Sequence, residues 1–512
     1  MRFPTRNTTR TRLIPRLVVS GLKKYQNIQC RALSSSFIEA SASNTSTAPP
    51  TTSNISLIEH LEKRGLISTL SSPKFCQLVQ SKKIAVYCGT DPTGGSLHIG
   101  HSSPLMTLLH FYLDGHTAVG LIGGATGIVG DPSGRKTERD RMEQDIREQN
   151  IKSLGQQVQR FIENGSRYAS KYKQVYTTAN HGKLIMKNNR EWWENVRMSE
   201  FLGTYGPHIR VSQMIARDSI KDRLDSQAGI GFNEFTYQIL QAYDFWHLYC
   251  NEGVAAQIGG NDQWGNITAG IDLISRLRNK KQQKDEAFGM TVPLLTDRSG
   301  NKIGKSTGSS VWLDPTRTTP YHFYQFFMNL HDDEIEKYFK LFTLVPLKQI
   351  SIIMAEHDMD TSKRIGQRVL ASEIIEMIHG DDARHGASVI SDIFFNKDLA
   401  VTEKYTTDEL INIFRNGGVL KQMERKDLKN YSTVKLAASI FNVSRSAAKA
   451  VIKEKGVSFG FEAVKVNGLD DFVRRSYIID DKLIVMRYGK NQFATIEITN
   501  KSNQLETIIF DE

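Results

Sequence analysis

The sequence predicts an α/β protein: a domain built on a parallel sheet, then a mainly helical domain, then a small α+β domain. Three observations lead there. Four short apolar runs, IAVYC (84–88), AVGLI (118–122), VAAQI (254–258) and MTVPLL (290–295), are closed by glycines or polar turn formers, as buried parallel strands are. Helical stretches separate them, for example PLMTLLHFYLDG, which Gly115 ends. Beyond about residue 315 the glycine loops stop, and stretches such as RIGQRVLASEIIEMIHG take over.

At 512 residues the chain is too long for one ordinary core. Its +11 charge is unevenly spread: residues 1–38 hold six Arg, two Lys and no acid, leaving only +3 on the rest. That segment is rich in Ser and Thr and carries RLIPRLVVSGLKK, which can form a basic amphipathic face, so we read it as a mitochondrial targeting segment for the matrix. A disordered basic arm is the alternative. Residues 39–54 are polar and read as a linker. The sheet domain is expected over 55–315, with the charged, glycine-loop-poor stretch 132–230 as an insertion. A helical domain is expected over 316–415 and an RNA-binding domain over 416–512. The last reading rests on 421–465, with ten basic and four acidic residues, including SRSAAKAVIKEKG as a helix capped by Ser446, followed by VKVNG as strand and turn. No apolar run approaches membrane-spanning length. The four cysteines, Cys30, Cys76, Cys88 and Cys250, are far apart, which argues against a disulfide framework or a zinc site.

Ligands of such sheets bind beyond the carboxyl ends of the strands. The segments following the four strands are the most unusual in the chain: GTDPTGGSLHIGH, GGATGIVGDPSGRK, GGNDQWG and SGNKIGKST. The last resembles a Walker loop but is one residue short between Gly300 and Gly304-Lys305-Ser306, and STGSSVWLDP after it has no helical period. In LHIGH, His98 and His101 stand three apart near a helix start, a spacing that puts both rings on one helix face, beside free backbone N–H groups suited to phosphate. Tyr237, Gln241 and Asp244 stand at i, i+4 and i+7 on a helix otherwise crowded with Phe235, Ile239, Leu240, Phe245, Trp246 and Leu248. Polar groups gathered on one face of an apolar helix need partners or a ligand.

His-Ile-Gly-His after a first strand, with Lys302-Ile303-Gly304-Lys305-Ser306 much later, resembles the two signatures of class I aminoacyl-tRNA synthetases, whose catalytic domain is a Rossmann-like parallel sheet. YCGTDPT (87–93), GATGIVGDPSGRK (124–136), YQILQAYD (237–244) and QIGGNDQWGN (257–266) narrow the resemblance to the tyrosyl-tRNA synthetases of bacterial and organellar type. It covers roughly residues 60 to 512. It implies activation of L-tyrosine by ATP and transfer to tRNA(Tyr), with Mg²⁺ travelling with ATP. By this resemblance His98, His101, Lys302 and Lys305 are catalytic, the lysines forming a mobile clamp on the β- and γ-phosphates. Tyr87 and Asp244 bond the phenol; Tyr237, Gln241 and Asp131 hold the ammonium, with Gln263 also at the amino acid. Asp262 binds ribose, and Asp91, Gly100, Gly260 and Ser306 complete the ATP site. Arg135 and Arg139 could reach pyrophosphate. The hydroxyl's buried partners would be left unpaired by phenylalanine. The family is homodimeric, and 132–230 is the expected interface. The alternatives are a synthetase-derived factor that assists intron splicing and the tryptophanyl enzyme. Tyr87 with Asp244 points to a phenol rather than an indole.

Overall fold

The computed structural model of the protein describes residues 55–134, 137, 142–173, 175–176, 181–225, 229–278, 286–296, 310–396, 399–428, 431–466, 468–469, 471–489 and 492–499. The expected leader and linker, Arg135, Arg139, Lys302, Lys305 and Ser306 lie outside the described residues.

The first sheet has six strands in the order β1-β6-β5-β2-β3-β4. They are β1 (Thr69–Leu70), β2 (Ala85–Thr90), β3 (Thr117–Ile122), β4 (Leu184–Asn188), β5 (Val254–Gly260) and β6 (Phe288–Val292). All neighbours pair in parallel except β1, which runs antiparallel to β6. The chain winds outward from β2 through β3 to β4, then crosses back to β5 and β6. The reversal falls between β2 and β5, and such switch points open a crevice at the strands' carboxyl ends. The four anticipated strands are all present. The stretch 132–230 is mainly helical, but it is not wholly outside the sheet, because β4 lies within it and pairs with β3.

Two helices matter most to the site. α2 (Ser102–Leu113), the second after α1 (Leu57–Arg64), is buried almost all round, with Leu105, Met106, Leu108, Leu109 and Phe111 in the core. Pro104 is its third residue, so its missing N–H is one the first turn leaves unpaired anyway. Asp114 caps it and Gly115 follows at φ 89°, a conformation that favours glycine. The long α3 (Gln144–Ala169) covers the sheet, and α4 (Phe232–Asn251) packs against α5 (Trp264–Leu277) and β5.

The helical region holds α6 (Pro320–Met328), α7 (Asp332–Phe342), α8 (Leu347–Met359), α9 (Ile365–His379), α10 (Asp381–Ser391) and α11 (Thr407–Asn416). Polar contacts join it to α1 and to the end of α3, the helix that covers the sheet. Glu373 of α9 accepts from Tyr168, from Tyr172 at 2.6 Å and from Lys171 Nζ at 2.8 Å. Arg64, 1% exposed, donates to the carbonyls of Lys340, Thr343 and Val345 around the end of α7.

The last region is a mixed sheet of β7 (Leu420–Glu424), β8 (Val457–Phe459), β9 (Val464–Lys465), β11 (Leu483–Tyr488) and β12 (Gln492–Thr499), with β10 (Ile478–Ile479) beside β11. α12 (Thr433–Phe441) and α13 (Arg445–Lys453) share its core. The cap of α13 is Ser444, accepting from the Ala447 N–H at 3.1 Å, not the expected Ser446, whose hydroxyl bonds Ser444 instead. No helix among the described residues is long and apolar enough to cross a membrane.

Candidate active site

A cleft of about 230 Å³ opens at the β2/β5 switch point. It is lined by every described residue singled out above for the site: Tyr87, Asp91, His98, Gly100, His101, Asp131, Tyr237, Gln241, Asp244, Gly260, Asp262 and Gln263. They come from β2, the turn before α2, the loop after β3, α4 and the end of β5. Four of them are aspartates, and no Lys or Arg stands among the described lining residues.

The imidazoles are arranged differently from a helix face. His98 is extended (φ −119°, ψ 170°) and precedes a short 3₁₀ turn, Ile99–His101, that runs into α2. Gly100 N–H donates to His98 Nδ1 and His98 N–H donates to His101 Nδ1, both at 3.1 Å, with the ring centroids 3.8 Å apart. The rings thus cap the turn reciprocally, as side chains of a capping box do. Of the N–H groups expected to be free for phosphate, those of His98 and Gly100 are taken by the imidazoles and that of His101 by the His98 carbonyl. A bare Nδ1 places the proton of a neutral ring on Nε2, so the donor each ring keeps is Nε2–H. The backbone at 311–313 pairs with this turn: Ile99 N–H donates to Val311 O at 2.9 Å, Leu313 N–H to Leu97 O at 2.8 Å, and Trp312 meets the His98 ring edge-on. The segment just downstream of Lys302 and Lys305 is therefore fixed beside the first signature.

Deeper in, Tyr87 is 1% exposed and its hydroxyl has no partner among the described residues. Burial, and then the Asp244 charge, raise its pKa well above the ordinary phenol value, so it stays a donor. Asp244 is buried on α4 and accepts from Trp192 Nε1 at 2.8 Å, Trp193 Nε1 at 2.7 Å and Asn189 Nδ2 at 3.0 Å. Burial pushes its carboxyl up to about 7; the three donors oppose that rise and the Asp91 charge adds to it.

Tyr237 OH donates to Asp91 Oδ2 at 2.8 Å, and Thr126 donates to Asp91 Oδ1 at 2.8 Å. Asp91, expected on the ATP side, is thus tied to the amino-acid side as well. Gly123 makes room for it, since a Cβ there would lie 1.9 Å from Asp91 Oδ1. Gln263 Nε2 donates to Asp131 Oδ2 at 2.7 Å, while Gln241 Nε2 reaches Gln263 Oε1 at 3.5 Å. After burial itself, Asp91, Asp131 and Asp244 all raise the Tyr237 phenol pKa, so three carboxyl groups gather around one point. Such a concentration of acid, with no Lys or Arg among the described lining residues, suits an ammonium group.

Residues 80–396 match the family described as tRNA synthetases class I (W and Y). A mitochondrial tyrosine--tRNA ligase of Saccharomyces cerevisiae is 41% identical over 492 residues, covering 95% of this chain and 97% of the yeast protein. The chain belongs to the tyrosyl-tRNA synthetases of bacterial and mitochondrial type. The synthetase is also 38% identical to tyrosine--tRNA ligase 2 of Bacillus cereus over 445 residues, 87% of this chain and 100% of the bacterial protein. The crystal structure of a C-terminally truncated Aspergillus nidulans mitochondrial tyrosyl-tRNA synthetase superposes with a TM-score of 0.61 at 35% identity, covering 66% of this chain and 94% of that one. Near-full-length tyrosyl relatives decide against the tryptophanyl alternative. As a family member the synthetase is an aminoacyl-tRNA ligase that uses ATP.

Several polar groups at the synthetase's cleft had no role in the sequence reading. Asn189, Trp192 and Trp193 follow β4 and hold Asp244; Asn189 Oδ1 in turn accepts from Ala125 N–H at 2.7 Å. Asn266 of α5 donates to Gln263 Oε1 at 3.1 Å. Gln257 lies opposite Tyr87 in the β2/β5 register. The signal for the first group is the dipeptide Trp192-Trp193 after an asparagine pair, which stands out once β4 is known to end there.

Proposed function

We propose that this synthetase joins L-tyrosine to ATP as tyrosyl-adenylate, releasing pyrophosphate, and then passes tyrosine to the 3′ end of tRNA(Tyr). The observation that carries the reading is that Asp244 and Tyr87 stand together at the buried end of the cleft, an acceptor and a donor for one phenol oxygen. Toward the open end, Asp131, Tyr237, Gln241 and Gln263 receive the ammonium group. Asp262 takes the ribose, and Asp91, Gly100 and Gly260 line the path to ATP, with Ser306 beside the lysines.

The tyrosine carboxylate is ionised at neutral pH, so its attack on the α-phosphorus needs no general base. The step is positioning plus charge stabilisation as pyrophosphate leaves. His98 and His101 offer Nε2–H to the phosphate oxygens, and Lys302 and Lys305 meet the β- and γ-phosphates. Mg²⁺ enters with ATP as part of the substrate.

In this reading residues 1–38 direct the protein to the mitochondrial matrix and 39–54 link the leader to the catalytic domain at 55–315. Residues 316–415 form the helical anticodon-side domain and 416–512 the RNA-binding one. The synthetase acts as a homodimer through 132–230. Support comes from apolar side chains left open there: Met198 at 68%, Leu202 at 53% and Val211 at 58% exposed. Leu202→Asp and Val211→Asp together should yield a monomer in light scattering; an unchanged mass would place the interface elsewhere.

Tyrosine-dependent ATP–pyrophosphate exchange by the protein lacking its leader tests the central claim. Exchange that requires tyrosine is expected. No exchange, together with tight binding to structured intron RNA, would favour the splicing-factor reading instead.

A further inference from the structure

We propose that Trp193 is a positioning residue for tyrosine recognition: its indole N–H shares Asp244 Oδ1 with Trp192 and thereby fixes which carboxylate oxygen meets the phenol. This rests on the reading of Asp244 as the phenol's partner. An ionised carboxylate offers about four lone-pair positions. Two on Oδ1 are filled by Trp192 and Trp193, at 2.8 and 2.7 Å, and one on Oδ2 by Asn189 at 3.0 Å. The remaining position, on Oδ2, is left for the ligand's O–H.

Consecutive residues on a helix point about 100° apart. Two indoles from adjacent positions reach one oxygen only if each ring is held by packing of its own. Trp192 stacks on His247 with centroids 4.3 Å apart, and Trp193 packs on Tyr243 at 4.9 Å and Phe201 at 5.4 Å. Both rings are thus oriented before tyrosine arrives.

The consequence is electrostatic. Burial favours the neutral carboxyl, the N–H donors favour the charged one, and the balance stands at about 7. Asp91 faces Asp244 and favours the neutral form; Tyr87 from β2 and Tyr237 and Tyr243 from α4 also face it, Asp131 lies beyond Tyr237, and His247 stacks behind Trp192. Removing one donor moves the balance toward the neutral form, which spends an oxygen on its own proton and no longer accepts freely from the phenol.

Trp193→Phe keeps a ring against Tyr243 and Phe201 and deletes the N–H. Tyrosine-dependent pyrophosphate exchange is measured from pH 6 to 9 in the full chain after the leader, with Asp244→Ala alongside. The acid limb of kcat/KM for tyrosine should rise by about one pH unit, a loss of about fivefold at pH 7 that is largely recovered at pH 9, with KM for ATP unchanged. If the variant folds poorly, β-(3-benzothienyl)alanine at position 193, which has sulfur in place of the ring N–H, makes the same test with the indole shape retained. A loss equal at every pH, or an unmoved profile, overturns the inference. Should Asp244→Ala abolish tyrosine use while the Trp193 profile stays put, the pocket reading stands and only this inference falls. Should Asp244→Ala leave tyrosine use intact, the pocket reading fails and takes the inference with it.

Discussion

Replacing Tyr87 by Phe removes one oxygen from the closed end of the cleft, and the structure predicts opposite effects on the free and the tyrosine-bound protein. In the free protein the hydroxyl is buried without a partner among the described residues. A hydroxyl so placed costs about 1–3 kcal/mol, so the variant should be as stable as the parent or more stable by about 1 kcal/mol. With tyrosine bound, on the proposed reading, the same hydroxyl donates to the phenol oxygen. A neutral hydrogen bond contributes about 0.5–1.5 kcal/mol, and at 1.4 kcal/mol per decade that is about a two- to tenfold rise in KM for tyrosine. Phenylalanine has no oxygen to lose the bond, so discrimination between the two amino acids should shrink by the same factor. Thermal unfolding with and without tyrosine reads the first effect, and pyrophosphate exchange with each amino acid reads the second. A lower Tm for the free variant would refute the account of the buried hydroxyl. Equal loss with tyrosine and phenylalanine would refute its role in recognition.

Other expectations follow from the same geometry. On the proposed reading Asp244→Ala removes the phenol's carboxylate partner, and a hydrogen bond to a charge is worth about 1.5–3 kcal/mol. KM for tyrosine should therefore rise more than in Tyr87→Phe, by about ten- to a hundredfold, with KM for ATP little changed; equal losses for both substrates would sink the pocket assignment. His98→Ala should slow adenylate formation by about a hundredfold, the usual cost of one transition-state donor, with little change in tyrosine binding measured by fluorescence titration. A tyrosine affinity that falls in step with the rate would place His98 elsewhere in the reaction. His60, whose Nε2 accepts from Arg64 Nε at 2.9 Å, has its pKa lowered to about 4, first by burial and then by the Arg64 charge. A depressed histidine favours folding above its unfolded value of about 6.5, and that contribution is lost as pH falls toward 4, at most about 3 kcal/mol. His60→Gln should flatten the fall of Tm between pH 7 and 5, and a fall as steep as the parent's would assign the acid sensitivity to other groups.

How much of this was legible in the sequence depends on how local each feature is. The four buried strands announce themselves because a strand covered on both faces is a continuous apolar run. β4 does not, because it is an edge strand whose five residues are all only partly buried, and LIMKN looks no different from the charged helices around it. Reading 132–230 as a plain insertion hid β4 and, with it, Asn189, Trp192 and Trp193, which reach Asp244 from more than 50 positions away. The polar face Tyr237, Gln241 and Asp244 was legible because helical spacing is a local rule. The histidine pair was half legible: the spacing of three brought the rings together as expected, but through reciprocal capping of a 3₁₀ turn. Nothing in the tetrapeptide distinguishes a histidine that lies on a helix from one that caps it.

The distribution of charge across the cleft bears on why the second signature stands so far along the chain. Asp91, Asp131, Asp244 and Asp262 line the cleft, and among its described lining residues the only basic side chains are the two imidazoles. A lysine fixed in that acidic half would compete with the substrate's ammonium for the same carboxylates, because opposite charges a few ångströms apart at low dielectric attract strongly. On the proposed reading, the cations that neutralise the leaving pyrophosphate must therefore come from outside the acidic half, yet arrive in register with the imidazole donors. The strand-like pairing of Val311 and Leu313 with Leu97 and Ile99 provides that register. It fixes the chain just downstream of Lys302 and Lys305 next to His98, so on that reading two signatures about two hundred residues apart would serve one phosphate site while the ammonium site stays free of competing cations.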